Sequence, residues 1–427
     1  MKSSAVDEAR VADGLLAARD PMMPALAAVL DNDRLSAMLG SHVEVTRVRY
    51  KPDTSLLVAF RGPGSGMTSY GWAMTRARHS ASQLRATVAR VSEAQDGPRI
   101  VCAEPNNEDT AVAVGTIAND RRLRRNLRWL THGGMARLHG TDLDRAADGP
   151  TAVLRYKPER RLVVRVPSSV GALVLKVSGG PYDATLWQEL LDRMRDAGVP
   201  LVQELADREC AAHGLRAAAA WGAGDLLAFP ATETAFQAGT GLAALHRCAR
   251  DDDDLWQRLS SRSGPEQLVA QLLAVQAMVG VLVPELTEVA ARLTERLRTA
   301  LEGFEPQGQQ VLVHGDFSPD QILVSGGDVR IIDFDQVRTG ERAADLGSFA
   351  AAEEIAVRRS DGLGPGNLTM SFLDGYRHAG GEVVPGRVEL WAAHRLFMAS
   401  MDPFRDRHPA WTTETSWHLQ RALELLG

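Results

Sequence analysis

The chain has few cysteines, and it contains no long apolar segment. Its three cysteines, Cys102, Cys210 and Cys248, are odd in number and far apart, which fits neither a disulfide framework nor a zinc site. No segment approaches the roughly 18 apolar residues of a membrane-spanning helix, and charged residues interrupt the region where a signal peptide has its apolar core. We therefore expect buried free thiols, no membrane partner and a cytoplasmic location.

The chain also lacks an excess of positive charge. It has 48 Lys and Arg against 54 Asp and Glu, a formal net charge of −6. Because affinity for nucleic acid depends on clustered positive charge, we expect no nucleic-acid partner. At 427 residues the chain is long enough for two or three domains, and its acidic balance favours a neutral or cationic small-molecule substrate.

Two segments of the N-terminal half resemble each other. Residues 48–60 and 154–166 both contain Arg-Tyr-Lys-Pro between apolar, β-branched stretches, a pattern that predicts strand, turn and strand. A further extended stretch and a segment with helical spacing follow each copy. We interpret the pair as a duplicated β-rich module with a charged helical connector at residues 119–139. The alternative is that two unrelated hairpins share a common turn by chance.

The C-terminal half is predicted to be mainly helical from residue 234 onward. A long apolar periodicity between residues 268 and 301 is interrupted by Pro284. The tail after Pro385 is again helical, with Trp391 and Trp411 as expected core or pocket-wall residues. A β-rich stretch, residues 310–335, interrupts this helical part and carries the chemistry.

That stretch predicts a strand, an irregular loop, a short strand, a Gly-Gly hairpin turn and another strand. The prediction places Asp316, Gln321 and Asp333 at the ends of adjacent strands, facing one cleft. Phosphoryl transfer needs an aligned nucleophile and cations that hold the phosphates. A loop carboxylate can orient the attacking hydroxyl, and an amide oxygen with a second carboxylate provides hard ligands for Mg²⁺.

The spacing of these residues resembles that of the aminoglycoside phosphotransferase and choline kinase group, the small-molecule branch of the protein-kinase-like fold. His314-Gly315-Asp316, then Gln321, then Asp333 within Ile-Asp-Phe, follow the motif order of that group. The resemblance implies ATP and Mg²⁺ as cofactors, Asp316 as catalytic base, and Gln321 and Asp333 as metal ligands. It also implies that His314 and Asp345 support the loop. Gln321 departs from the group, which has Asn at this position.

In folds of this kind the N-terminal lobe supplies a strand lysine and a helix glutamate for the nucleotide phosphates. Lys176 and Glu189 are the best matches, against the alternatives of a strand-end lysine and a surface glutamate. Phe229, the last residue of a predicted short strand at 226–229, and Ala231, just after it, stand where the adenine would bind. The turn at residues 156–161 stands where the phosphate loop would be. Its Lys and Arg residues could contact the phosphates, but we expect a solvated turn.

Together these features predict an α+β, protein-kinase-like bilobal fold with an extra N-terminal module that resembles a degenerate N-lobe. We expect an accessory module at residues 1–145, a nucleotide-binding N-lobe at 146–231 and a helical C-lobe at 232–427. In the first copy Met74 stands at the position of Lys176. The predicted function is ATP-dependent phosphorylation of a hydroxyl on an aminoglycoside, sugar or cyclitol. A protein kinase and an inactive nucleotide-binding scaffold are the alternatives.

Overall fold

The structure is a computed structural model that describes residues 2–90, 97–134, 151–168, 171–248, 254–260, 264–302, 310–360 and 366–427. Its strands are β1 (Glu44–Lys51), β2 (Ser55–Arg61), β3 (Tyr70–Arg76), β4 (Arg99–Cys102), β5 (Ala111–Thr116), β6 (Ala152–Lys157), β7 (Arg161–Val166), β8 (Leu173–Ser178), β9 (Leu215–Ala219), β10 (Gly224–Asp225), β11 (Val311–Val313), β12 (Ile322–Ser325), β13 (Asp328–Ile331) and β14 (Arg338–Gly340). Its helices are α1 (Lys2–Arg19), α2 (Leu26–Leu30), α3 (Asn32–Leu39), α4 (Ala81–Ala89), α5 (Arg124–Trp129), α6 (Ala184–Asp196), α7 (Arg208–Ala212), α8 (Thr232–His246), α9 (Asp254–Ser260), α10 (Pro265–Leu282), α11 (Thr287–Glu302), α12 (Arg342–Arg359), α13 (Leu368–His378), α14 (Arg387–Ala399), α15 (Asp402–Arg405) and α16 (Trp411–Leu425). Within the described residues no helix is both long and apolar enough to cross a membrane.

The chain divides into two compact units. The first unit comprises Met1–Ala184, Glu204–Ala220 and Asp402–Glu414, and the second comprises Thr185–Gln203, Trp221–Met401 and Thr415–Gly427. Both segments with the Arg-Tyr-Lys-Pro sequence therefore fall within the first unit. The finer division into three domains stays a prediction.

The first unit contains two antiparallel sheets. The first sheet has the strand order β1-β2-β3-β5-β4, and the second has the order β6-β7-β8-β9. One apolar core joins them: Leu57 and Trp72 of the first sheet and Leu162 and Leu175 of the second belong to the same buried cluster, with Leu127 of α5. Because each sheet buries its apolar residues against that common core, we expect neither to fold alone.

Three helices precede the first sheet, and the sequence analysis did not predict them. Gly14 lies inside α1, and Pro21 and Pro24 separate α1 from α2, which weakens the helical periodicity of the segment. The helix α3 has local signals at both ends. Asp31 accepts a hydrogen bond from the backbone N–H of Arg34 at 2.9 Å, and Gly40 ends the helix in the left-handed conformation.

The β1–β2 and β6–β7 turns have the same hydrogen bonds. In the first, Asp20 accepts hydrogen bonds from the Tyr50 hydroxyl at 2.7 Å and from the backbone N–H of Asp53 at 3.1 Å. In the second, Asp120 accepts from the Tyr156 hydroxyl and from the backbone N–H of Glu159, both at 2.8 Å. The carboxylate that fixes each turn comes from a segment about thirty residues or more before it along the chain.

The backbones of the two turns also agree. Asp53 has a φ of 54° and Glu159 a φ of 60°, both in the left-handed region. In the first sheet Leu57 pairs with Met74, and in the second Val163 pairs with Lys176. Met74 and Lys176 therefore occupy matching register positions. Of the predicted connector at residues 119–139, the structure describes α5 and an irregular turn that continues to Gly134; residues 135–139 lie outside the described part.

The second unit is mainly helical around two small sheets. As predicted, Pro284 separates α10 from α11, and Gly326 and Gly327 form the tight turn of the β12–β13 hairpin at positive φ. The predicted order of strands needs one correction. β11 pairs with β14, whereas β12 pairs with β10 and β13, so Asp316 and Gln321 do not lie on adjacent strands. A three-residue strand such as β11 has too little pattern to specify its partner.

Candidate active site

The predicted catalytic loop begins where β11 ends. Gly315 has a φ of 83°, a conformation that favours glycine. A Cβ atom at this position would lie 2.4 Å from the carbonyl oxygen of Gln336 and 2.2 Å from Nη1 of Arg338. Glycine is therefore required at the sharp turn through which the chain passes from the buried strand to Asp316.

Asp345, in the first turn of α12, is a fully buried carboxylate behind this loop. It accepts hydrogen bonds from the backbone N–H groups of His314 at 2.7 Å and Gly315 at 2.9 Å, and its Oδ2 lies 3.1 Å from Nε2 of His246. Burial raises the pKa of Asp345, but the hydrogen bond and charge of His246, with smaller effects of His314 and Gly315, lower that pKa by more. The net pKa lies below the ordinary value, so the stability that the carboxylate provides is lost as pH falls through the lowered pKa.

The side chain of His314 connects the loop to the β12–β13 hairpin. Its Nε2 lies 2.9 Å from the carbonyl oxygen of Ile332, to which it donates because a carbonyl can only accept. The ring also packs against Phe317 and Phe334, with centroids 5.4 and 4.9 Å away. One hydrogen bond thus joins His314, two positions before Asp316, to Ile332, the residue before Asp333.

Gln321 and Asp333 lie at one end of the β12–β13 hairpin. Ile322 pairs with Ile331, and the backbone N–H of Ile332 donates to the carbonyl oxygen of Gln321 at 3.0 Å. Gln321 is therefore opposite Ile332, the residue before Asp333. Asp333 has a φ of 64°, a strained conformation for a residue other than glycine.

The chemistry of Gln321 and Asp333 can be compared with the requirements of a magnesium ion. The described ranges contain no group of three or more His, Cys, Asp or Glu side chains that could enclose a metal. Mg²⁺ does not need such a group, since it typically keeps several waters and binds one or two protein ligands together with substrate phosphates. One amide oxygen and one carboxylate fit that requirement.

Asp316 is partly exposed and has a basic neighbour that the sequence analysis did not identify. Nη1 of Arg395 lies 2.7 Å from Oδ1 of Asp316, with 33% of the Arg395 side chain and 39% of the Asp316 side chain exposed. The approach lacks hydrogen-bond geometry, and Oδ1 accepts no hydrogen bond from the described residues. Arg395 lies on α14, far along the chain from the loop, and no motif in the sequence marks it.

A cleft of about 580 Å³ in the second unit reaches the predicted catalytic loop at Gly315, and its lining residues do not include Asp316, Gln321 or Asp333. Its wall includes Glu341, which accepts hydrogen bonds from Nε of Arg387 at 2.7 Å and from the indole Nε1 of Trp391 at 2.9 Å. His394 and Arg395 line it as well. Burial and then the nearby arginines lower the pKa of His394 to about 3, so its ring is neutral at neutral pH.

The predicted phosphate ligands lie on β8 and α6. Lys176 of β8 is half-buried and pairs in register with Val163 and Arg216 in the first unit. Glu189 belongs to the second unit and forms an ion pair with Arg193 at 3.3 Å, with 43% of its side chain exposed. The buried face predicted for that helix is confirmed by Leu186, Leu190 and Met194. A Lys176–Glu189 pair stays a prediction.

The predicted strand at residues 226–229 is wrong. β10 contains only Gly224 and Asp225, after which the Asp225 carboxylate accepts hydrogen bonds from the backbone N–H groups of Leu227 and Ala228 and closes a turn. Phe229 is 50% exposed, and the exposed Ala231 is the N-cap residue of α8. Their contact with adenine stays a prediction.

Comparison with known families identifies the chain. The sequence model of the phosphotransferase enzyme family matches residues 135–397, which is more than half of the chain. The chain belongs to the phosphotransferase enzyme family. The predicted resemblance and the prediction of a small-molecule phosphotransferase are confirmed by this membership. No curated protein matches the chain in sequence.

Solved structures of phosphotransferases and related kinases have a similar fold. Amicoumacin kinase hAmiN, in complex with AMP-PNP, Ca²⁺ and Ami, is 14% identical, with a TM-score of 0.50 over 70% of this chain and 92% of that one. Spectinomycin phosphotransferase APH(9)-Ia, in complex with ADP and spectinomycin, is 13% identical, with a TM-score of 0.49 over 65% and 92%. A choline/ethanolamine kinase family protein from Mesorhizobium loti is 18% identical, with a TM-score of 0.46 over 69% and 94%.

Proposed function

We propose that this phosphotransferase transfers the γ-phosphate of ATP, with Mg²⁺, to a hydroxyl of a small polyhydroxylated metabolite. The observation that carries the proposal is the catalytic loop: Asp345 holds its backbone, and His314 links it to the hairpin end that bears Gln321 and Asp333. We further expect a cytoplasmic protein without a nucleic-acid partner.

Each residue has a definite task in this reaction. Asp316 orients the acceptor hydroxyl and takes its proton as the bond to phosphorus forms. Gln321 and Asp333 hold Mg²⁺, which neutralises the charge of the phosphates when bound. Lys176, paired with Glu189, binds the nucleotide phosphates. Phe229 and Ala231 lie beside the adenine.

The cleft beside the loop suits an uncharged polyol. Its charged lining residues are of both signs: Arg338, Arg342, Arg387, Arg395, Asp335, Glu341 and Glu382. Recognition of a polycation requires more carboxylates than basic groups, and this lining has fewer. Neutral His394 and the face of Trp391 suit hydroxyl groups and a sugar ring. Among the predicted acceptors a sugar or cyclitol is therefore favoured over an aminoglycoside.

We also propose that the first sheet is a degenerate copy of the second. The matching hydrogen bonds of the two turns and the matching positions of Met74 and Lys176 support this relationship. Beside Met74 lies a cavity of about 190 Å³ with a mainly apolar surface, and Leu57 and Trp72 line it together with Arg76, Arg121 and Arg124. Because the first copy has no lysine at the position of Lys176, we expect it not to bind nucleotide.

The function is tested by a mass-shift screen of the purified protein with Mg·ATP against hexoses, cyclitols, aminoglycosides and choline. With the acceptor found, Asp316→Ala should lower turnover on the order of 10²–10⁴-fold while leaving ATP binding nearly intact. Asp328→Ala, which removes an exposed carboxylate from the β12–β13 turn, is the matched control. ATP binding without transfer to any compound would support the inactive scaffold instead, and Asp316→Ala with more than about a tenth of wild-type turnover would remove Asp316 from the mechanism.

A further inference from the structure

The β6–β7 turn is not the solvated turn that the sequence predicts. Pro158 and Glu159 are buried, and Lys157 is half-buried. Glu159 is only 6% exposed although it carries a charge. A buried carboxylate needs partners, because its desolvation is costly unless other groups compensate.

The partners of Glu159 come from outside the second sheet. Nη2 of Arg49, on β1, lies 2.5 Å from its Oε2, and Nε of Arg121, from the segment before α5, lies 2.7 Å from its Oε1. The backbone N–H of Glu159 donates to Asp120, from that same segment. The turn is thus fastened at its side chain and at its backbone by residues that precede the second sheet in the chain.

Several basic side chains surround the fastened turn. Burial, followed by the charges of Arg155, Arg161 and Arg47, lowers the pKa of Lys157 to about 7, and the nearby Asp402 opposes this effect. Burial, followed by the charges of Arg49, Arg405 and Arg47, likewise lowers the pKa of Arg160, the last residue of the turn. Cations held this closely together favour the arrival of an anion, which relieves their mutual repulsion.

In protein-kinase-like folds the loop between the first two strands of the N-lobe covers the nucleotide phosphates. β6 and β7 are those strands if the proposed function is correct, and the present inference rests on it. We propose that Arg49 and Arg121 clamp Glu159, and that the clamped turn presents Lys157 and Arg160 to the phosphates of ATP. The first sheet then serves nucleotide binding although it binds no nucleotide itself.

The clamp replaces the flexibility of a glycine-rich loop with rigidity. A mobile loop must be ordered when the nucleotide binds, and that ordering weakens the observed affinity. A turn already fixed by two ion pairs avoids most of this loss. Arg49 and Glu159 are therefore positioning residues that act through Lys157 and Arg160.

The test measures Mg·ATP affinity by titration calorimetry in the full-length protein, together with thermal stability. Glu159→Gln and Arg49→Ala should each weaken binding about tenfold, whereas Arg49→Lys, which keeps the charge, should stay within about threefold of wild type. The double variant should be little worse than either single one, since both changes break one interaction. Arg85→Ala breaks the Arg85–Glu108 ion pair elsewhere in the first unit and should leave affinity unchanged.

The pH dependence of binding separates this role from a purely structural one. Because Lys157 loses its charge as pH rises through about 7, wild-type affinity should fall between about pH 6 and about pH 9, and Lys157→Arg should abolish that fall. Wild-type affinity in folded Glu159→Gln and Arg49→Ala, or a lowered melting temperature with unchanged affinity, would overturn the clamp. If Glu159→Gln does not fold, the affinity of Lys157→Met for Mg·ATP decides. Weaker binding supports the proposal, and wild-type affinity overturns it. A wild-type protein that does not bind Mg·ATP would refute the proposed function itself, and the clamp with it.

Discussion

The two Tyr-Lys-Pro turns of the first unit share a backbone and differ in their surroundings. Each is fixed by a buried aspartate that accepts from a tyrosine hydroxyl and from a backbone N–H three residues later. Asp53 is exposed, whereas Glu159 at the same position is buried between two arginines. The shared hydrogen bonds therefore fix the backbone of each turn, and the charges around the turn determine whether it can bind a ligand.

The largest difference between the two sheets should be at Met74 and Lys176. Lys176→Met makes the second copy resemble the first and should weaken Mg·ATP binding about 10- to 100-fold, because it removes a charge-assisted contact from the phosphates. The reciprocal Met74→Lys should create no second nucleotide site, since it adds a single ammonium group beside a cavity whose surface is mainly apolar. Titration calorimetry with stoichiometry measures both effects. Undiminished affinity in Lys176→Met would show that the lysine does not bind phosphate.

A smaller effect is expected at the two aspartates. Asp20→Ala and Asp120→Ala each leave a buried tyrosine hydroxyl and a backbone N–H without their acceptor, which should cost about 1–3 kcal/mol of unfolding free energy. Asp120 should cost more, because it also accepts from the backbone N–H groups of Arg122 and Leu123, whereas Oδ1 of Asp20 has no hydrogen-bond donor among the described residues. Denaturant titration measures the difference, and only Asp120→Ala should also weaken Mg·ATP binding. Equal effects of both changes on affinity would contradict a specialised second turn.

The smallest effect is expected at Asp53. Asp53→Gly removes the strain of a left-handed conformation, but it also gives the unfolded chain more freedom, so stability should change by less than about 0.5 kcal/mol. The same change at Glu159 should be clearly destabilising, because it also removes both ion pairs. Comparison of denaturation midpoints distinguishes the two cases. A large loss at Asp53 would mean that its side chain has a role that its exposure does not suggest.

The sequence could predict features whose signals are local. The Gly326-Gly327 hairpin, the break at Pro284 and the motif that contains Asp316 and Asp333 each depend on neighbouring residues, and the structure contains the predicted hairpin and break. The pairing of β11 with β14 could not be predicted, because a three-residue strand fits several partners equally well. Arg395 could not be found for a related reason: its importance comes from a contact with a residue that lies far away in the chain. Burial of the β6–β7 turn also depends on residues from another sheet.

The ion pair between Arg395 and Asp316 has a consequence for how the enzyme treats solvent. In the proposed reaction the carboxylate could also activate a water molecule, and ATP would then be hydrolysed to ADP and phosphate without phosphorylation of an acceptor. A guanidinium 2.7 Å from Oδ1 offsets part of the charge of the carboxylate, and a water molecule has to compete with it. An acceptor that fills the cleft can replace the arginine with many contacts at once. Without an acceptor the protein should therefore hydrolyse ATP slowly, and Arg395→Ala should raise that rate of hydrolysis.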